Sequence, residues 1–212
     1  MPSEQTLVRL TKAFQERLEL IHTRAGRLTA VEWDRLGSWD ELDIERFARR
    51  VDPVFTAARQ ATVNASAGYY SLATETAPVL VPDAAIAVQA NLRAPFTAYW
   101  HGLAEGRPWD EALAAGRSRA TSTAVDYVAS TSRRTASFVA GDGIVGWRRV
   151  LTANSCAWCA TVSTQRYRSA ESADFGHDHC DCIVAPIYGD ADPGQVINQV
   201  RVDELEQLEQ VA

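Results

Sequence analysis

Lysine is almost missing from this sequence. Lys12 is the only one, so nearly all of the 21 basic side chains are arginine, set against 27 acidic ones for a net charge of −6. That balance argues against a protein built to coat duplex nucleic acid, which needs a basic face to displace counterions from phosphates. Arginine is the better fork for carboxylate and phosphate, but the coding bias of a GC-rich genome accounts for the preference without such a role. Long apolar runs are lacking too. No segment reaches the roughly 18–20 apolar residues that span a bilayer, so no membrane partner is expected. The opening stretch MPSEQTLVRLTKAFQERLEL is amphipathic and carries acids. It has neither the apolar block nor the small-residue cleavage site of a secretory signal, and the chain is expected to be made in a reducing cytoplasm. Cysteine is scarce as well, four residues in 212. In a reducing compartment clustered cysteines point to metal rather than to disulfides.

What is present is mostly helical pattern. Hydrophobic content of 46% and charged content of 23% are those of an ordinary globular chain with a core of its own. Leu7, Leu10, Phe14, Leu18 and Ile21 recur at spacings of three and four, which predicts a helix over 4–25 with Gly26 as its stop. Trp33, Leu36 and Trp39 are the expected buried residues of 28–39, and Ser38 or Asp40 could cap the next helix. Ile44, Phe47, Val51, Val54 and Phe55 mark that second long helix over 41–75, with a kink expected at Pro53. Its small face of Ala57, Ala58, Ala61, Ala65 and Ala67 suits close packing against another helix. The stretch 76–83 is a connector with two prolines. Asp83 could cap a third helix to about 104, bent at Pro95. Pro108 opens a fourth, running to about Val139, whose Asp110 and Glu111 favour the positive helix end. After Gly141-Asp142-Gly143 the texture changes. The β-branched and aromatic runs 144–153 and 182–189 read as strands, and Asp192-Pro193-Gly194 opens a helical tail made acidic by Asp203, Glu204, Glu206 and Glu209. The expected fold is mainly α: a long-helix region over 1–140, a small α+β module over 141–190 and an acidic helical tail over 191–212.

All four cysteines fall between the two strands. Cys156 and Cys159 form C-x2-C, a spacing that lets one tight turn aim two sulfurs at one ion. Twenty residues later comes His177-Asp178-His179-Cys180-Asp181-Cys182. This spacing is that of a structural zinc module. Zinc takes four ligands, and the set Cys156, Cys159, His177 and Cys180 pairs two similar turns, with Cys182 able to replace a member of the second pair. His179, flanked by acids, is the weakest candidate. Three thiolates and one imidazole around Zn²⁺ leave a charge near −1, which Arg148, Arg149, Arg166 and Arg168 could balance. A redox role is disfavoured because no thioredoxin-like βαβ pattern surrounds the C-x2-C.

The order C-x2-C, a gap, then H-x-x-C-x-C before an apolar strand resembles the phage head-morphogenesis family, the Mu F-like minor head proteins. HDHCDC followed by IVAPIYG is similar to the forms found in phages of actinobacteria. The match covers roughly 145–190, and the helical part agrees in length and class. The family's first cysteine pair falls on Cys156 and Cys159, its histidine on His177, and its closing C-x-C on Cys180 and Cys182. Many members place a short Asp-Gly turn after the first pair, where this chain has ATVSTQRYRSAES. The resemblance implies a minor capsid protein of a tailed bacteriophage, located in the virion inside the head near the portal vertex. Its partners would be the portal protein or the major capsid protein, with packaged DNA touched in passing, and it would have no catalytic residues and no small-molecule substrate.

Two other readings compete. A zinc-module nucleic-acid binder would use Arg148, Arg149, Arg166 and Arg168 beside Trp147, Trp158 and Tyr167 to track backbone and stack bases. A zinc hydrolase would need an open metal position and a base such as Glu171, Asp178 or Asp181, and the sequence has no H-E-x-x-H.

Overall fold

The computed structural model describes residues 2–75, 90–139, 143–152, 155, 157–174 and 181–211, the side chains of 204–211 excepted. The first helix, α1 (Glu4–Asp34), begins at Ser3, whose hydroxyl accepts the Thr6 amide at 3.3 Å. Leu7, Phe14, Leu18 and Ile21 are buried as their spacing predicts. Gly26 does not stop this helix, which continues for two more turns. A Cβ at Gly26 would lie 2.9 Å from the Thr121 methyl, so this glycine admits a neighbouring helix instead of ending its own.

The second helix, α2 (Glu41–Thr74), is capped by Asp40, which accepts the amides of Leu42 and Asp43 at 2.9 and 3.1 Å. Asp43 is fully buried and faces back across the turn. It accepts the amides of Ser38 and Trp39 at 3.1 and 2.8 Å and also pairs with Arg46. Burial pushes the Asp43 carboxyl up, but the bonds from Ser38, Trp39 and Arg46 outweigh it and hold its pKa below the ordinary value. They also hold Trp39 at φ 51°, a conformation a bulky residue seldom adopts unaided. Pro53 lies within α2, whose helical assignment runs through it.

The third helix, α3 (Ala94–Ala104), starts later than its pattern suggests, since Ala90–Arg93 are not helical; Asp83 and the connector 76–83 lie outside the described residues. Pro95 sits in its first turn, where a missing N–H costs nothing, and so is not a bend. The fourth, α4 (Trp109–Ala136), follows Pro108, with Asp110 and Glu111 in its first turn and Arg133 and Arg134 in its last, both favourable to the helix dipole. At one end of these four helices Trp33 packs edge-on against Phe96 and Phe47, with ring centroids 4.9 and 5.8 Å away. At the other, Phe14 stacks on Tyr69 at 4.4 Å. The small face of α2 meets α4 through Ser66 and Ser132, and Phe55 meets Tyr127 edge-on at 4.7 Å.

Beyond the helices lies an antiparallel sheet in the order β2-β1-β3, made of β1 (Ile144–Val150), β2 (Arg166–Tyr167) and β3 (Ile183–Tyr188). Two short helices, α5 (Ala157–Ser163) and α6 (Ala170–Ala173), fill the connection between β1 and β3, where the sequence shows no period, and α7 (Pro193–Val211) closes the chain. Pro186 is tolerated because β3 is an edge strand. Every residue of β3, and β1 from Gly146 onward, is buried. Tyr70 of α2 donates to the Val184 carbonyl at 2.9 Å, and Gln15 of α1 donates to the Leu151 carbonyl at 2.7 Å. One apolar core therefore runs from Leu7 and Trp33 through Tyr70 to Trp147, Val184 and Ile197.

Two glycines test the helix packing. A Cβ on Gly116 would lie 2.4 Å from Trp33, whereas one on Gly68 meets nothing within 4 Å. G116A is expected to lower stability by about 1–3 kcal/mol through overpacking. G68A is expected to raise it by about 0.5–1 kcal/mol through helix propensity. Urea denaturation of the two variants checks both signs.

Candidate metal centre

The candidate ligands stand on the loops that β1 and β3 leave behind. After Leu151 the chain turns sharply: the Ser155 hydroxyl accepts the Thr152 amide at 2.8 Å, and the Ser155 amide returns to the Thr152 carbonyl at 3.2 Å. That turn delivers α5, with Cys159 on its inner face. Cys182 immediately precedes β3, and its sulfur lies 3.3 Å from Ser155 Oγ. Cys159, Cys182 and Leu151 form a small buried group of their own, with Ala160 and Val202 packed against it. Two cysteines far apart in sequence thus meet in one place. Cys156, His177 and Cys180 lie outside the described residues, as do His179 and Asp178. Among the described residues no group of three or more His, Cys, Asp or Glu side chains is placed to hold a metal; only two of the five candidate ligands are among them.

Two buried arginines flank these elements. Arg148 on β1 forks onto Asp192, with Nε 2.9 and 2.8 Å from the two carboxylate oxygens, and its Nη1 donates to the carbonyls of Ser163 and Thr164 at 3.0 and 2.8 Å. It thereby satisfies the C-terminal carbonyls of α5, which every helix end leaves open. Asp192 also accepts the Gln195 amide at 2.9 Å, capping α7. Arg133 on α4 pairs with Asp174 at 3.1 Å and donates to the Cys182 carbonyl at 3.2 Å. Asn198 of α7 adds a third tie. Its carbonyl accepts the Leu151 amide at 2.7 Å, and its Nδ2 donates to the Arg149 carbonyl at 2.8 Å.

Beside this group α1, α4 and α7 leave a cleft of about 740 Å³, on whose wall stand His22, Asp181, Thr152 and Gln15. Asp181 accepts the Thr152 hydroxyl. His22 is only 7% exposed, and its Nε2 is buried without a hydrogen-bond partner. Burial lowers its pKa to about 4, against the opposing pull of Asp181 and with a smaller push from Arg133.

A family model described as VG15 protein matches residues 1–207. The chain belongs to the VG15 protein family. It is a phage protein on that ground. No curated protein and no solved structure matches it. In this VG15 protein none of the described helices is long and apolar enough to cross a membrane.

The geometry also revises the arginine–aromatic patch. Arg148, Arg149 and Trp147 are buried. Arg148 is committed to Asp192 and to backbone carbonyls, Arg149 donates to the Ala173 carbonyl at 3.3 Å, and Trp147 meets Tyr70 edge-on at 6.0 Å. Arg166, Arg168 and Trp158 stay exposed. The four arginines cannot form one surface, because alternate residues of a strand point to opposite faces and here both faces are covered. Arg133, His22 and Asn198 carried no signal in sequence, since arginine, histidine and asparagine on helices are usually solvated. Asp192 before Pro193 did carry one, the pattern of a helix cap.

His22 sets a pH dependence for the VG15 protein. Its folded pKa lies below the unfolded value of 6.5, so the unfolded chain binds more protons between the two. The stability associated with neutral His22 is complete above pH 6.5 and is lost as pH falls toward 4. The span is about 3 kcal/mol at 1.36 kcal/mol per unit. H22Q is expected to remove that part of the acid dependence, read as a flatter curve of unfolding free energy against pH.

Proposed function

We propose that this phage protein is a minor capsid protein of the Mu F-like head-morphogenesis kind, bound to the portal inside the head and acting in assembly, packaging or ejection. Membership of the VG15 family along nearly the whole chain carries the reading, and the C-x2-C and H-x-x-C-x-C order supports the finer assignment. The fold agrees with a docking protein. A helical body is braced by aromatic clusters, and large apolar side chains remain on its surface, among them Leu20, Leu42, Leu72 and Trp109. Exposed apolar groups of this size are suited to partner contacts. The reading assigns no catalysis. Glu171 is exposed on α6, and Asp181 is tied to Thr152.

Zinc belongs to the same proposal, as a structural ion. Cys159 and Cys182 share one buried group, and thiolates are the donors that structural zinc prefers. Cys156, His177 and Cys180 would complete the ligand supply. The ion would close the loop between β1 and β3.

The test is co-sedimentation of the full chain with assembled portal oligomers of its own phage. Deleting α1 and α2 would remove the core, so surface variants are the better probe. The wild type is expected to pellet with the portal, and L20D combined with L72D to remain helical yet pellet less. A wild-type chain that stays in the supernatant at micromolar portal overturns the portal reading. Elemental analysis is expected to give about one zinc per chain, with loss of zinc in C159S and C182S.

A further inference from the structure

We infer that Arg133 of α4 is the positioning residue for the segment that carries His177 and Cys180, and that metal retention by this chain depends on the helical body and not on residues 141–190 alone. The inference rests on the zinc reading for its metal part only.

The geometry is specific. Arg133 is 3% exposed near the C-terminal end of α4. Its Nε donates to Asp174 Oδ1 at 3.1 Å, its Nη1 to the Cys182 carbonyl at 3.2 Å, and its Nη2 to Ser130 Oγ at 3.0 Å. Asp174 is the last described residue before 175–180, and Cys182 lies two residues beyond that stretch. One guanidinium therefore grips the chain on both sides of the segment. Holding the two ends of a loop together removes closure entropy that a bound ion would otherwise have to overcome. It also fixes the backbone of Cys182, itself a candidate ligand. The planar fork of arginine suits a grip in two directions, whereas an ammonium is a point donor. Ser130 holds the guanidinium from its own helix, so the grip refers the segment to the helical body. Arg148 does the equivalent service at the other half, holding the end of α5 that carries Cys159. It does so from β1, so Arg133 alone of this pair ties the ligands to the helices.

The experiment uses the full chain purified with zinc under reducing conditions, as wild type, R133M, R133K and D174A. Zinc retention is read by chelator competition, the ligand field by the visible spectrum of the cobalt-substituted chain, and the segment itself by the rate of cysteine alkylation in metal-free protein. R133M is expected to weaken metal binding by about 10–100-fold, the usual effect of losing a group that orients ligands, with altered cobalt bands, faster alkylation and unchanged helical circular dichroism. R133K and D174A are expected to fall between it and the wild type. Unchanged metal affinity and unchanged alkylation in R133M would overturn the inference. If R133M does not fold, R133K and D174A decide by the same readouts. A wild-type chain that keeps no zinc removes the metal reading and with it the metal part of this inference. The alkylation rates then decide the positioning role by themselves.

Discussion

The sheet has almost no wet face, and the rest of the molecule is arranged around that constraint. Three short strands cannot bury enough surface to persist alone. Here the whole of β3 and β1 from Gly146 onward are enclosed, and helices supply the cover. Tyr70 reaches from α2 to the Val184 carbonyl and is fully buried. Its pKa is raised well above the usual phenol value by that burial and by neighbouring Tyr69, Tyr188 and Asp174, so it serves as a neutral donor. Because the helices and the sheet share one core, whatever happens at the loops of the sheet is felt in the helices.

Enclosure creates a second problem, since β1 carries two consecutive arginines. A buried guanidinium is costly unless its donors are used. Arg148 uses them on Asp192 and on the open carbonyls of α5, and Arg133 uses them on Asp174, Ser130 and Cys182. In each case the charge meets groups that themselves needed a partner, such as helix-end carbonyls. These contacts set where α5 and the flanks of 175–180 lie, and hence where Cys159 and Cys182 meet. A structural zinc at that place would add a link to a region already referred to both the sheet and the helices. That arrangement suits an assembly protein, which has to present its surfaces in one fixed relation.

Local chemistry announces much of the fold. Period-3.6 stripes mark α1 and α2, Pro108 with two acids marks the start of α4, and the β-branched runs mark β1 and β3. Gly26 and Pro95 mislead for a common reason, that in sequence glycine and proline look like breaks. Gly26 is required by the close approach of Thr121, and Pro95 occupies a first turn where its lost N–H is harmless. Both depend on what lies nearby, which a single segment does not contain. The short α5, β2 and α6 have too few residues to show a period at all.

The sequence by itself determined the helical class, the strands on either side of the cysteines and the residue types from which a metal site could be made. These follow from spacing along the chain and from thiol chemistry. Only the tertiary structure decided that Arg148 and Arg149 are interior struts, that Cys159 and Cys182 share one buried group, and that Arg133 and His22 stand beside the ligand segment. A polar side chain on a helix or strand reads as solvated until another element covers it. Which element covers it is settled by packing between residues as distant as His22 and Asp181, and no local pattern records that.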